Sequence, residues 1–207
     1  MRAKRVTLTP QTDDNGISVS QTPLAAGNLT ITGALASGGA VSLNHGHLIL
    51  ITCAGNDAGR TFTVTGTDFR GVVITEAISG VNIAASQGSV YFKTVTQIAV
   101  DAATAGAIIV GVNGLSASNW YVLDTYVDPF SVGFGVVISA TTTYSMQHTF
   151  EDLYASDISA INVFNHATIA SKTVSSNSNY AHPCSGIRLV ITAFTSGTTR
   201  LVYYQAG

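Results

Sequence analysis

Five histidines, two cysteines and eleven acidic residues are the side chains in this 207-residue chain with which acid–base, nucleophilic or metal chemistry could be done. His45 and His47 stand two apart, so in a strand they share a face, as a pair of zinc ligands would. No third ligand follows at a zinc spacing, and the pair reads as a polar strand edge or loop. His148 alternates with Tyr144, Met146 and Phe150, which predicts a buried, hydrogen-bonded core histidine. The run His182, Pro183, Cys184 has no strained elbow around it, and no GxSxG motif occurs, so neither offers an activated nucleophile. Glu76 and Glu151 are the only glutamates, and no two carboxylates are spaced to share a substrate. Asp124, Asp128, Glu151 and Asp152 could converge on a calcium-like ion, but acids in such segments more often hold turns. No cofactor and no metal is expected. The remaining recognition chemistry is aromatic: Trp120, Tyr121, Tyr126 and Tyr204 are candidate interface or glycan contacts. Tyr203 and Tyr204 point to opposite faces of one strand, so at most one of them enters its own core.

The elements that would position these groups are strands. In Thr61 to Gly66, Phe62 and Val64 point one way and Thr61, Thr63 and Thr65 the other, the alternation of a half-buried strand. The same reading predicts strands at 29–32, 47–53, 72–78, 90–100, 107–112, 132–139, 144–150, 187–194 and 199–205. Residues 151–155 and 158–164 could each hold a helical turn, without a sustained 3.6-residue period. GNDAGR and ASGGA lack the strand-to-helix context and the lysine of a phosphate loop and are read as turns.

One strand–turn–strand passage occurs twice. Ile98 to Val110 matches Leu189 to Leu201 at a constant offset of 91, through an Ala-x-Thr-x-Gly turn. Upstream, Leu48 to Asp68 has a shorter counterpart in Phe134 to Asp152, at an offset of 82. The duplication predicts an all-β fold of two tandem antiparallel β-sandwich modules, residues 24–117 and 118–207, preceded by an extended N-terminal arm, residues 1–23. The halves should superpose.

Charged residues make up 10% of the chain, against about 25% in ordinary soluble domains. Thr and Ser outnumber Asp, Glu, Lys and Arg by more than two to one. Such a surface associates readily and suits packing against other subunits. With a net charge of −2 and three lysines, Lys4, Lys93 and Lys172, the chain has no basic stripe for nucleic acid. No run approaches the ~20 apolar residues of a membrane helix, and MRAKRV is followed by no apolar segment of a secretory signal. Assembly in the cytoplasm is expected, with Cys53 and Cys184 as free thiols.

The runs AGNDAGRTFTVTGTDFRGVVITEAISG, VYFKTVTQIAVDAATAGAIIVGVNG, DPFSVGFGVVISATTTYSMQHTFED and YAHPCSGIRLVITAFTSG together resemble virion structural proteins of tailed bacteriophages and prophages. The resemblance spans Leu24 to Gln205. It implies a non-enzymatic, homo-oligomeric virion component made in the host cytoplasm, whose partners are capsid, portal, neck or tail proteins. A head decoration or accessory protein is the leading expectation; a neck, collar or tail component and a glycan-binding fibre head are the alternatives.

Overall fold

The computed structural model describes residues 2–154, 157–158 and 160–206. Among these residues every regular element is a β-strand, and the strands pair antiparallel. The chain divides into two compact units: an inserted unit, Gln11–Gly114, and a split unit made of Met1–Pro10 with Leu115–Gly207. Strand β1 (Lys4–Leu8) belongs to the split unit. The inserted unit holds β2 (Thr12–Gln21), β3 (Gly27–Asn28), β4 (Ala36–Ser37), β5 (Ala40–His47), β6 (Leu50–Cys53), β7 (Thr61–Thr67), β8 (Val73–Ser79), β9 (Ala85–Gln87), β10 (Phe92–Val100) and β11 (Ile108–Asn113). The split unit resumes with β12 (Ser116–Ala117), β13 (Tyr121–Val122), β14 (Ser131–Ile138), β15 (Thr142–Thr149), β16 (Phe164–Asn165), β17 (Ser176–Tyr180), β18 (Gly186–Phe194) and β19 (Thr199–Ala206).

In the inserted unit one sheet runs β2-β11-β6-β9 and the other β5-β10-β7-β8, with the two-residue strands β3 and β4 attached to β10 and β5. Leaving those two aside, the strands counted along the chain lie in the orders 1-8-3-6 and 2-7-4-5. That is the connectivity of a jelly roll, in which two Greek keys form a double sheet. The split unit repeats it: β1-β19-β14-β17 is one sheet, and β16-β15-β18 with β12 and β13 both on β18 is the other. The all-β sandwich expectation holds in both units.

The duplication extends to register. Ile98 faces Val64 and Val100 faces Phe62; at equivalent positions Leu189 faces Met146 and Ile191 faces Tyr144. All eight are buried. Val110 faces Ile51, and its counterpart Leu201 faces Val136. The offset is therefore 91 in the last two strands, 82 from Phe62 to Tyr144 and 85 from Ile51 to Val136. The chain differences fall in the connections between strands, where insertions are tolerated. Each unit closes around its own apolar cluster, built on Phe62, Phe92 and Ile98 in one and on Tyr144, Tyr180 and Leu189 in the other. Burying side chains of this size contributes roughly 1.5–3 kcal/mol each.

Two expectations are corrected. The amino-terminal stretch is not an arm: β1 pairs along its length with β19, and β2 pairs with β11 and buries Ile17 and Ser18. Its polar composition hid two edge strands, since an edge needs apolar residues on one face only. The modules are nested rather than tandem, because the first strand of the split unit precedes the whole inserted unit. Finally, the helical-turn expectation at 151–155 and 158–164 partly falls on Ala155 and Ser159, outside the described residues. Nearby, Ala160 N–H donates to Asp157 O in a single turn, and Phe164 opens a strand. The ASGGA segment is a two-residue hairpin between β4 and β5 in which Gly38 and Gly39 both have positive φ, 60° and 77°, as the type I′ turn requires.

Because Ile98 and Leu189 occupy equivalent fully buried positions, Ile98→Ala and Leu189→Ala should each lower the unfolding free energy by about 2–5 kcal/mol in urea titrations. A surface-like loss at either position would contradict the register equivalence.

Candidate binding surface

The polar residues that could do chemistry are engaged in holding turns. In the split unit, Asp124 Oδ1 accepts from Tyr126 N–H at 3.0 Å and Asp152 Oδ1 from Tyr154 N–H at 2.8 Å. Glu151 Oε1 accepts from both the backbone and the side-chain nitrogen of Asn162, and these bonds hold its carboxyl below the ordinary range. In the inserted unit, Asp68 Oδ1 accepts from the backbone of Arg70 and Val72 across the TDFRG turn, and Arg70 Nε pairs with its other oxygen at 3.0 Å. Among the described residues, no three His, Cys, Asp or Glu side chains are grouped to hold a metal ion.

The two histidines of β5 separate in burial. His47 is fully buried and its Nε2 lies 3.0 Å from Asn44 Oδ1, which accepts the ring proton. Burial, then His45, then Lys93 depress His47 to about 4. Lys93 Nζ donates to the carbonyls of Leu43 and Asn44, so a cation is fixed beside both rings. His45 is only half-buried, and it too is lowered, by burial and by Lys93. Both cysteines are free and buried, and burial pushes the Cys184 thiol up to about 11 and raises Cys53.

Of the expected aromatic contacts, Trp120 is 5% exposed, with the Arg188 guanidinium 4.5 Å from its ring centre. Tyr121 is half-buried, its ring centre 5.4 Å from that of buried Tyr203. Tyr126 is 96% exposed and Tyr204 54%, the latter on the outer face of its strand beside Gly133. Tyr203 and Tyr204 thus divide between core and surface as alternation requires. The four candidates do not form one site: no ring contact among the described residues joins Tyr126 or Tyr204 to the others.

A different set of rings does converge, in the split unit. Strand β15 carries His148 and runs into Phe150; β16 pairs with it so that Phe164 lies opposite His148. Strand β17 supplies Tyr180 and, two residues on, His182. Ring centres then lie close: His148 to Tyr180 5.2 Å, to Phe150 5.3 Å, to Phe164 5.8 Å and to His182 6.0 Å. Phe134 and His166 also pack against Tyr180, at 5.4 and 4.8 Å. His166 Nε2 lies 3.1 Å from Asn179 O and its Nδ1 receives Thr168 N–H, which fixes the Nε2–H tautomer. The outer members face solvent: Phe150 is 53% exposed, Phe164 48%, and His182 is exposed.

His148 is buried as expected but is not fully hydrogen-bonded, since its Nδ1 has no partner, like the hydroxyl of Tyr180. Burial, then His182 and His166, lower its pKa below the ordinary histidine value. The result is an aromatic shelf, suited to stacking against an apolar or sugar-like face. Comparison of the chain with protein-family models, with curated proteins and with solved structures finds no match. The shelf went unseen in the sequence because Phe164 reaches it from β16, and Tyr180 and His182 from β17 and its continuation, all distant in sequence from His148. Only the Tyr144, Met146, His148, Phe150 alternation signalled one side of it.

For a histidine whose folded pKa is depressed, stability is complete above the unfolded value of 6.5 and falls as the pH drops, because the unfolded chain takes up the proton first. His47 should therefore withdraw about 3 kcal/mol between pH 6.5 and about 4. Urea midpoints of wild type should fall over that window, and His47→Gln should flatten the fall, leaving the smaller slopes of His45 and His148.

Proposed function

We propose that the protein is a non-enzymatic structural component of a bacteriophage virion, a capsid decoration or accessory protein that works by contact with neighbouring subunits. The observation that carries this reading is a jelly-roll connectivity present twice in one chain, while the acids that would serve chemistry are spent on turns. Double-sheet jelly rolls are a common architecture of viral capsid and lectin domains. Sparse charge, a Thr- and Ser-rich surface and the resemblance of the sequence to tailed-phage virion proteins support the same reading. A neck, collar or tail position belongs to the same class and differs in copy number. Antibody labelling and cryo-electron microscopy of purified particles should find the protein on the icosahedral shell. A single ring of copies would move it to the neck, and its absence from particles would overturn the reading.

The shelf of Phe150, Phe164 and His182 favours a second reading, glycan recognition by stacking. Phe150→Ala with Phe164→Ala should change stability by about 1 kcal/mol or less, because both rings are half exposed, and should abolish any signal on a glycan array. An array blank for wild type removes this reading.

A further inference from the structure

Strand β1 is joined to the rest of its own unit only through the 104-residue inserted unit, Gln11–Gly114. It sits at the edge of the sheet β1-β19-β14-β17 and pairs with β19 from Lys4 opposite Tyr203 to Leu8 opposite Thr199. Its attachment is slight. Leu8 is the one fully buried side chain of the strand, Val6 is half-buried, and Lys4, Arg5 and Thr7 are exposed. Without β1, the split unit keeps only β12 to β19, and β19, otherwise flanked on both sides, becomes an open edge. An open edge presents unpaired backbone groups that template another strand.

Between β1 and β2 lie Thr9, Pro10 and Gln11. Pro10 has no N–H and a fixed φ, so the ladder made by β1 cannot run on into β2. The segment is thus a short edge strand, held by one ladder and the inward side chains Val6 and Leu8, on a brief proline-bearing connector. Exchange of such an element between identical chains forms every contact of the closed chain again and costs no new interface.

We infer that β1 is an exchangeable strand: the β19 edge of one copy accepts Lys4–Leu8 of a second copy, linking subunits through the split unit. The inference deepens the homo-oligomer part of the virion reading, but it rests on chain connectivity alone. Its test reads strand exchange without any particle. In dilute solution the chain's own β1 is present at an effective concentration of order millimolar and wins. Crowded copies, as on an assembling surface, reach the regime in which the partner's β1 competes.

The test uses register. Arg5 lies opposite Val202, so the double variant Arg5→Cys, Val202→Cys in one chain should form an internal disulfide when dilute. Cys53 and Cys184 are buried and do not compete. Single variants Arg5→Cys and Val202→Cys, mixed, refolded at roughly millimolar concentration and mildly oxidised, should give mixed disulfide dimers. Their yield should exceed by at least tenfold that of Arg5→Cys mixed with the off-register variant Tyr204→Cys, and should vanish at micromolar concentration. Equal yields from both mixtures, or no mixed dimer while the double variant closes internally, would overturn the exchange. So would failure of the double variant to close. Association with virions, or its absence, leaves this result unchanged.

Discussion

Each unit depends on one constraint: the seventh and eighth strands must lie next to the centre of opposite sheets. Strand β10 is flanked by β5 and β7, and β11 by β2 and β6; β18 and β19 are flanked in the same way. Every inward residue of these strands is therefore covered by neighbours in its own sheet and by the sheet opposite. The chain has to leave one sheet and enter the other through the corner between them. In the inserted unit that corner is fastened by Ala105 N–H on Asp57 Oδ1 at 2.7 Å, by Arg60 Nε on Ala103 O at 2.6 Å, and by Thr61 N–H on Asp101 Oδ2 at 3.0 Å. There the backbones of Gly55 and Gly106 approach so closely that a Cβ on either would lie about 2.5 Å from the other segment. The split unit uses neutral groups at the same place, with Ser139 Oγ accepting from Thr198 N–H and Thr195 N–H donating to Thr141 O.

That same pair of strands was the most legible part of the sequence. Inward residues at Ile98, Val100, Ile108 and Val110 recur as Leu189, Ile191, Thr199 and Leu201, all buried, because two-sided burial imposes the same pattern on both copies. Legibility fell where strands are edges. Strand β17, reading SNSNY, and β2, reading TDDNGISVSQ, carry too few apolar residues to announce themselves, yet backbone pairing to β14 and β11 is enough to hold them. The nesting was hidden for a related reason: nothing in Lys4–Leu8 says that its partner lies near the far end of the chain. The ring shelf was half legible. His148 could be placed on an apolar face from alternation, but the loss of cover at Phe150 could not, since it depends on where the sheet ends.

The chain's polar chemistry is consistent with its low charge. Isolated carboxylates and hydroxyls accept from buried or turn backbone N–H groups, as Glu76 does from Ser89 and Val90, and a hydrogen bond to a charged group stabilises more than a neutral one. The lysines are placed against carbonyls and rings rather than against acids, Lys93 on Leu43 and Asn44 and Lys4 6.0 Å from the Tyr203 ring centre, and Arg188 lies over Trp120. The surface left over is hydroxyl-rich and carries isolated aromatic groups, a composition that allows close approach of neighbours with little desolvation of ions.

The nested order also sets a schedule for synthesis. Translation delivers β1 before the inserted unit and its partner β19 well after it, so β1 must wait for the intervening strands before it can pair. The inserted unit, contiguous in sequence, has all its strands once Asn113 has emerged and can close while the ribosome is still making the other. Loop closure between ends this far apart is entropically slow. A finished inserted unit shortens the effective loop, because its folded body replaces about a hundred flexible residues, so the first domain to fold becomes the scaffold on which the second is completed.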